Sequence, residues 1–268
     1  MSVNLATVLR ESARVAPQQP LLHLADRTVT YAQVDEASGR VAASLLGRGL
    51  RPGARVAVRL PSGSELVAAY FGILKAAMVT VPLDPPPAAE VDPAGSGAEF
   101  LITPDTMCEL QRSDNNGAIG EVAGDDPAVL LGGAARSHAE LRAAGTIRCR
   151  ADDVLLPVLP PSHALLLPTL TAAIGARATV VLVPRFDVAA VLEAIERHGC
   201  TVICGLPAAY GALLQADLDR RDVSTLRVGV CAGPPLGAEL VHAIEEKFPG
   251  IAVVEADSRS GTAAVAVG

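Results

Sequence analysis

The stretch DDPAVLLGGAARSHAELRAAG, residues 125–145, sets an apolar run, Ala128 to Leu131, against the pair Gly132-Gly133 and a helix-like continuation. Strand, glycine turn and helix in that order can present backbone N–H groups to an anion. The helix N-terminus carries partial positive charge, and glycines let backbone approach closely. Arg136 adds a cation just past the turn. The chemistry this spacing points to is phosphate binding. The plainer alternative is a shortened connection between strand and helix. Near the other end of the chain, Glu255 and Asp257 place two carboxylates at the end of an apolar run. They offer ligands to Mg²⁺, although carboxylates so placed are more commonly solvated.

Other side chains offer less. The five cysteines are Cys108, Cys149, Cys200, Cys204 and Cys231, with no C-x-x-C pair. Cys200 and Cys204 are expected to share one face of a strand, as buried free thiols in a reducing cytoplasm. No G-x-G-x-x-G follows a candidate strand, so an unrelated dinucleotide-binding protein ranks last.

Composition narrows the class further. Half of the 268 residues are hydrophobic and 19% are charged, which supports a sizeable core. The net charge is −7, aromatics are 3% and Trp is absent, so nucleic acid is a poor partner. The N-terminus MSVNLATVLRESARVAP lacks an apolar core of signal-peptide length, and a cytoplasmic location is expected. ALLLPTLTAAIGARATVVLV (164–183) has membrane-spanning length, but Pro168, Gly175 and Arg177 interrupt it. It reads as a buried helix, a glycine turn and a buried strand, with no membrane span.

The elements that must position these groups alternate along the chain. Strands are expected at RVAVRL (55–60), AVLL (128–131), DVLLPVL (153–159), ATVVLV (178–183), TVICG (201–205), LRVGVCAG (226–233) and IAVVEA (251–256). Several are continuous apolar runs, as in strands buried on both faces of a parallel sheet. Thr30 and Gln33 fit a capping box that opens a helix through Val34, Val41 and Leu45. Asp187 caps a helix whose apolar face is Val188, Val191, Leu192 and Ile195, with Gly199 as its left-handed stop. Glu193 and Arg197 are spaced to pair on its wet side. LGAELVHAIEEKF (236–248) repeats the pattern. Residues 81–124 read as loops around a short strand, FLIT, and a weak boundary falls near 145–152. This alternation predicts an α/β fold with a mostly parallel sheet.

Four stretches, taken in order, resemble the N-terminal domain of the adenylate-forming family, the acyl-CoA synthetases and their relatives. They are residues 30–86, running from TYAQVDEASGR to VTVPLDPP; DDPAVLL; residues 156–214, from LPVLPPSHALLL to GLPAAYGALL; and LRVGVCAGPPLGAEL (226–240). Together they cover nearly the whole chain. The resemblance implies two stacked, mostly parallel αβ sheet subdomains, at about 50–150 and 151–268, with 1–49 packing on the second. The whole chain, 1–268, then reads as an incomplete adenylate-forming N-terminal domain, without the family's β-barrel portion and C-terminal lid. The family's reaction joins a carboxylate to AMP from ATP and then passes the acyl group to a thiol.

The departures from the family pattern bear on that reaction. Where the family carries T-S-G-T-T-G-x-P-K-G, Leu131 is followed by Gly132, Gly133, Ala134, Ala135 and Arg136, without Ser/Thr cluster or Lys. Where it carries Y-G-x-T-E, Asp257, Ser258, Ser260 and Gly261 stand, and Gly261 cannot bind a metal. Gly132, Gly133, Arg136, Asp257, Ser258 and Ser260 are therefore read as a vestigial nucleotide site. On the acyl side, the resemblance implies pocket roles for His163, Tyr210, Gly233, Pro234, Pro235 and Leu236. Core packing is the competing role for Tyr210.

The expected function is that of a degenerate acyl-CoA synthetase-like protein without adenylation activity, keeping an acyl or ligand pocket or an interaction role. The alternative is an AMP-forming carboxylate–CoA ligase completed by a partner chain. No catalytic residue and no metal ligand is assigned. No cofactor is expected, with ATP and Mg²⁺ entering only under the alternative. The expected partners are a fatty acid or other acyl-type molecule, and a second copy or another protein covering apolar surface near 250–268.

Overall fold

The computed structural model describes residues 3–86, 96–143, 149–218, 221–233, 236–257 and 262–264, with 257 and 262–264 as backbone only. The chain opens with α1 (Thr7–Val15), β1 (Pro20–His23), β2 (Thr28–Thr30), α2 (Tyr31–Gly47), β3 (Arg55–Val58), α3 (Ser64–Lys75) and β4 (Val79–Pro82). There follow β5 (Phe100–Ile102), α4 (Pro104–Leu110), β6 (Pro127–Leu131), β7 (Ala134–Ser137), α5 (His138–Ala143), β8 (Val154–Val158) and α6 (Leu166–Ala176). The last third holds β9 (Thr179–Val181), α7 (Val188–His198), β10 (Val202–Gly205), α8 (Pro207–Leu214), β11 (Val228–Ala232), α9 (Ala238–Lys247), β12 (Ala252–Asp257) and β13 (Thr262–Ala264).

The strands form two sheets. The smaller runs β5-β3-β4-β6-β7 and the larger β13-β12-β11-β10-β8-β9-β1-β2. Among the described residues, only β1–β2, β6–β7 and β12–β13 pair antiparallel. Segment 1–49 divides between them: β1 joins β9 of the larger sheet, while α2 packs on α3 beside the smaller one.

Side chains alternate across the larger sheet. Leu155, Cys204 and Val230 enter one core together with residues of the smaller sheet and of α1, α2, α3 and α6. Leu156, Ile203 and Cys231 enter a second core under α7, α8 and α9. Apolar runs such as DVLLPVL thus arise because both strand faces are covered. Cys200 lies before β10 and in the second core, opposite Cys204, so these two thiols do not share a face. Burial raises both to about 12, which keeps them protonated and inert.

Local signals hold where the physics is local. Thr30 accepts the Gln33 amide at 3.3 Å and Gln33 Oε1 the Thr30 amide at 2.8 Å, completing the capping box. Asp187 accepts the Ala190 amide at 2.9 Å, and Gly199 ends α7 at φ 60°. Arg197 does not follow the expected pairing: its Nη1 reaches the Ala25 carbonyl at 3.4 Å instead of Glu193. The turn after α6 is made by Arg177 at φ 60°, not by a glycine. Gly175 instead lets α6 lie close to α1, since a Cβ there would meet Val8 Cγ1 of α1 at 3.2 Å. No helix among the described residues is long and apolar enough to cross a membrane.

At the N-terminal ends of β8, β10 and β11, Asp153 gathers Arg227, Thr201 Oγ1 (2.8 Å) and the Arg150 amide (2.7 Å). The Arg227 guanidinium grips both carboxylate oxygens, at 2.5 and 2.6 Å. Burial alone would raise the Asp153 carboxyl, but these bonds outweigh it and hold it below its ordinary value. That end of the sheet is fastened, and the opposite end is open.

Candidate functional site

The open end holds a cavity of about 670 Å³. Its position follows from strand order. β8 is the first strand of its sheet half, β9 is laid on one side of it and β10 on the other. The order reverses there, and in open α/β sheets ligands bind outside the carboxyl ends of the strands at such a point. Pro160 and Pro161, beyond β8, face Leu206 and Ala209, beyond β10. The β8–β9 ladder stops at Leu155↔Val180, so Pro157 owes no N–H to β9. Leu182 to Phe186 then diverges, and Arg185 and Phe186 form one rim.

The smaller sheet supplies the opposite wall through Ser62, beyond β3, and Asp84 to Pro86, beyond β4. Asp84 crosses between the sheets. Its two carboxylate oxygens accept the Ser162 amide at 3.0 Å and the Ser162 hydroxyl at 2.7 Å. The charged side chains on the cavity surface, among the described residues, are Asp84 on one wall and Arg185 on the other. The volume lies within the range of small-molecule sites, and the lining is mostly apolar.

Of the expected pocket residues, the described ones, His163, Tyr210, Gly233 and Leu236, are not among those lining this cavity. His163 follows the Pro160–Pro161 wall; its Nδ1 accepts the Leu165 amide at 3.2 Å. Burial lowers its basicity, partly offset by Asp84. Tyr210 is buried in the second core. Its hydroxyl lies 3.1 Å from the Ile203 carbonyl and 3.0 Å from the Val230 carbonyl, sharing one proton between β10 and β11. Gly233 sits at φ 137° behind the Leu206–Ala209 wall, where a Cβ would meet Pro207 Cδ at 3.7 Å. Leu236 packs against the second core, and its amide donates to Glu255 Oε1 at 2.6 Å. Pro234, Pro235, Ser258, Ser260 and Gly261 lie outside the described residues, as does the Asp257 side chain.

The glycine turn differs from the expectation. Gly132 (φ 55°) and Gly133 (φ 84°) form a two-residue turn between antiparallel β6 and β7, with Leu131 opposite Ala134. Positive φ at both central residues marks a type I′ hairpin. The helix begins only at His138, so no helix N-terminus faces the glycines. A Cβ on either glycine meets nothing within 4 Å, so the turn encloses no cradle. Ser137 instead caps α5 through Glu140, and the buried His138 accepts the Leu5 amide on Nδ1 at 3.0 Å. These residues do not fit the phosphates of ATP. Among the described residues, no cluster of three or more carboxylate, His or Cys groups is placed to hold a metal.

Ser62, Asp84, Arg185 and Phe186 carry the cavity and were not singled out by sequence reasoning. Their signal was present: Ser62, Asp84 and Arg185 each lie just past an apolar run beside proline, in RLPSG, VPLDPP and VPRFD, and Phe186 follows Arg185. Parallel strands collect such termini at one edge.

Comparison with known proteins agrees with this architecture. The family model of the AMP-binding enzyme matches residues 9–124 and 132–256, and breaks over the strand leading into the two-glycine turn. The chain is 29% identical over 273 residues to 4-coumarate–CoA ligase 5 of Oryza sativa subsp. japonica, covering 83% of this chain and 50% of that protein. It is 29% identical over 296 residues to feruloyl-CoA synthase of an Amycolatopsis species, covering 91% and 60%. The chain thus spans half to three fifths of these relatives' length. The N-terminal domain of FACL13 from Mycobacterium tuberculosis superposes with TM-score 0.84 at 23% identity, over 95% of this chain and 75% of that one. Apo MatB from Rhodopseudomonas palustris superposes with TM-score 0.82 at 26% identity, over 95% and 59%. Two sheets with this order of strands, matched over most of the chain, place the protein in the AMP-binding, adenylate-forming enzyme family, with the fold of an acyl-CoA synthetase N-terminal domain.

Proposed function

We propose that the chain binds a carboxylate-bearing small molecule, of the fatty-acid or acyl type, in the cavity at the strand ends and does not adenylate it. The observation that carries this reading is the Gly132–Gly133 hairpin. The reaction needs donors and a cation around transferring phosphates. A two-residue turn with no hydroxyl, no lysine and open space around both glycines offers at most two backbone N–H groups and no cradle to hold phosphates. The cavity supports the binding half of the reading: apolar walls suit an acyl body, and Arg185 offers a counter-charge for its carboxylate.

A second reading is an AMP-forming carboxylate–CoA ligase whose phosphate contacts come from another chain. The intact strand-end cavity and the named activities of the relatives favour it. ATP and Mg²⁺ enter only here; the first reading needs no cofactor. Carboxylate-dependent ATP–pyrophosphate exchange separates the two. Exchange by the purified chain above a heat-killed control would sink the first reading. Thermal shifts test its binding half: saturable stabilisation by medium-chain carboxylates is expected.

A further inference from the structure

We infer that the stacked rings of His23 and His198 form a pH-sensitive clasp for the rim of the cavity, and that proton uptake opens it and frees the segment carrying Arg185 and Phe186. The clasp stands on its own contacts; its effect on binding rests on reading the cavity as a site for an anionic acyl molecule.

The rim segment runs from Leu182 to Asp187, between β9 and α7. His23, the last residue of β1, holds it at the β9 end. Its carbonyl accepts the Leu182 amide at 3.0 Å, the final rung of the parallel ladder that pairs Leu22 with Val180 and His23 with Val181. The ring of the same residue stacks on His198, the last residue of α7, with centroids 4.6 Å apart and planes 15° apart. Arg197 closes the same junction by donating to the Ala25 carbonyl at 3.4 Å, in the turn between β1 and β2. Val191, Leu192, Ala194 and Ile195 seat the rest of α7 in the second core. The last turn of α7 and the tip of the β1–β2 hairpin are thus joined through the ring stack and the Arg197 bond.

Protons act on this junction in one direction. Burial and then Arg197 hold His23 below its ordinary value; burial, then His23 and Arg197, hold His198 down. Among the described residues, no carboxylate offsets these charges at either ring. Asp26, at the hairpin tip, pairs with Arg27 at 3.3 Å, and Arg27 also reaches Glu65 at 3.1 Å. His23 Nδ1 lies 3.0 Å from the Thr28 hydroxyl, which donates or accepts, so that bond survives protonation. The second proton to arrive sets two like charges face to face beside the Arg197 guanidinium. Moving the rings apart relieves the repulsion. The hairpin tip then pulls away from α7, and the Leu182 rung, completed by the His23 carbonyl, frays with it.

The test is amide hydrogen exchange of the full chain at about pH 7.5 and about pH 5.5, read as protection relative to the unstructured rate at each pH. Binding of octanesulfonate, an anion at both values, is measured alongside. Protection of the Leu182 amide should fall about two- to tenfold at the lower pH, the weight of one aromatic pair. The fall should exceed that of Val79, whose bond to the Ala54 carbonyl (2.9 Å) lies in the smaller sheet. The sulfonate affinity should weaken by a similar factor. His198→Phe keeps a stack that takes no second proton and should hold Leu182 protected at both values. His198→Ala should leave Leu182 at the lower protection at both. Equal protection of Leu182 at the two values in the unaltered chain, or a pH dependence that survives in His198→Phe, overturns the clasp. Falling protection with unchanged sulfonate affinity overturns its link to the cavity. Falling protection with no sulfonate binding at either pH supports the clasp and overturns the acyl-anion reading of the cavity.

Discussion

Asp84 accepts both the amide and the hydroxyl hydrogen of Ser162, at 3.0 and 2.7 Å, and so ties the exit of the smaller sheet to the turn that follows β8 in the larger one. Both bonds end on a carboxylate, the stronger kind of hydrogen bond. Asp84→Ala is expected to lower unfolding free energy by about 2–3 kcal/mol, and Ser162→Ala by ~1 kcal/mol, measured by urea denaturation. If Asp84→Ala matched the unaltered chain, the cross-sheet tie would carry no weight.

The β6–β7 hairpin makes a sharper demand on side chains. Gly132 and Gly133 both hold positive φ, but type I′ turns accept Asn at the first position and favour Gly at the second. Gly132→Asn should be neutral within ~0.5 kcal/mol. Gly133→Val should cost about 1–2 kcal/mol, because a β-branched residue there is strained. Equal costs at the two positions would contradict a type I′ turn.

Tyr210 and Gly229 share one space. A Cβ on Gly229 would stand 3.2 Å from the Tyr210 hydroxyl and 2.9 Å from Ile251 Cδ1. Tyr210→Phe alone should cost ~1 kcal/mol through the lost bond to two buried carbonyls. Gly229→Ala alone should cost about 1–3 kcal/mol by overpacking. The double variant should be less destabilised than the sum, because the phenylalanine relieves part of the contact. Strict additivity would place the two residues out of contact.

Stability should also depend on pH in a defined direction. His23 and His198 stack with centroids 4.6 Å apart. Burial lowers both, and Arg197 beside each adds to the effect; His23 further lowers His198. Burial likewise lowers His138 and His163, against Asp126 and Asp84 respectively. In the unfolded chain these imidazoles take protons near pH 6.5, so below that value the unfolded state binds more protons than the fold. Stability should be full above about pH 6.5 and fall as the pH drops below it. Paired His23→Gln and His198→Gln should flatten the slope. A rise in denaturant midpoint on acidification from pH 6.5 would reverse the sign.

Much of the fold was readable because its signals are local or periodic. Capping pairs such as Thr30–Gln33 act within one turn, and apolar runs such as TVICG mark strands covered on both faces. The four residues of β7 were hidden because AARS has no strand pattern of its own and is held by pairing with β6. α4 went unread inside a loop-like region, although Thr103 and Pro104 open it by the usual cap and first-turn proline. β1, β2 and β4 are short, and their identity comes from their neighbours in the sheets. The cavity was hardest to foresee. Ser62, Asp84 and Arg185 are far apart in sequence, and only the parallel stacking of strand ends from two sheets assembles them. The two roles open to Tyr210 look the same in sequence, because a tyrosine on an apolar helix carries no sign of whether its hydroxyl meets a ligand or, as here, two carbonyls.

The most direct measurement of the central claim is calorimetric titration of Mg·ATP into the purified chain, with and without a saturating carboxylate. With a two-residue turn where phosphates would have to be held, no saturable heat of ATP binding is expected in either case, while the carboxylate alone gives a saturable isotherm that Arg185→Ala weakens. Submillimolar, saturable Mg·ATP binding would contradict the loss of the phosphate site.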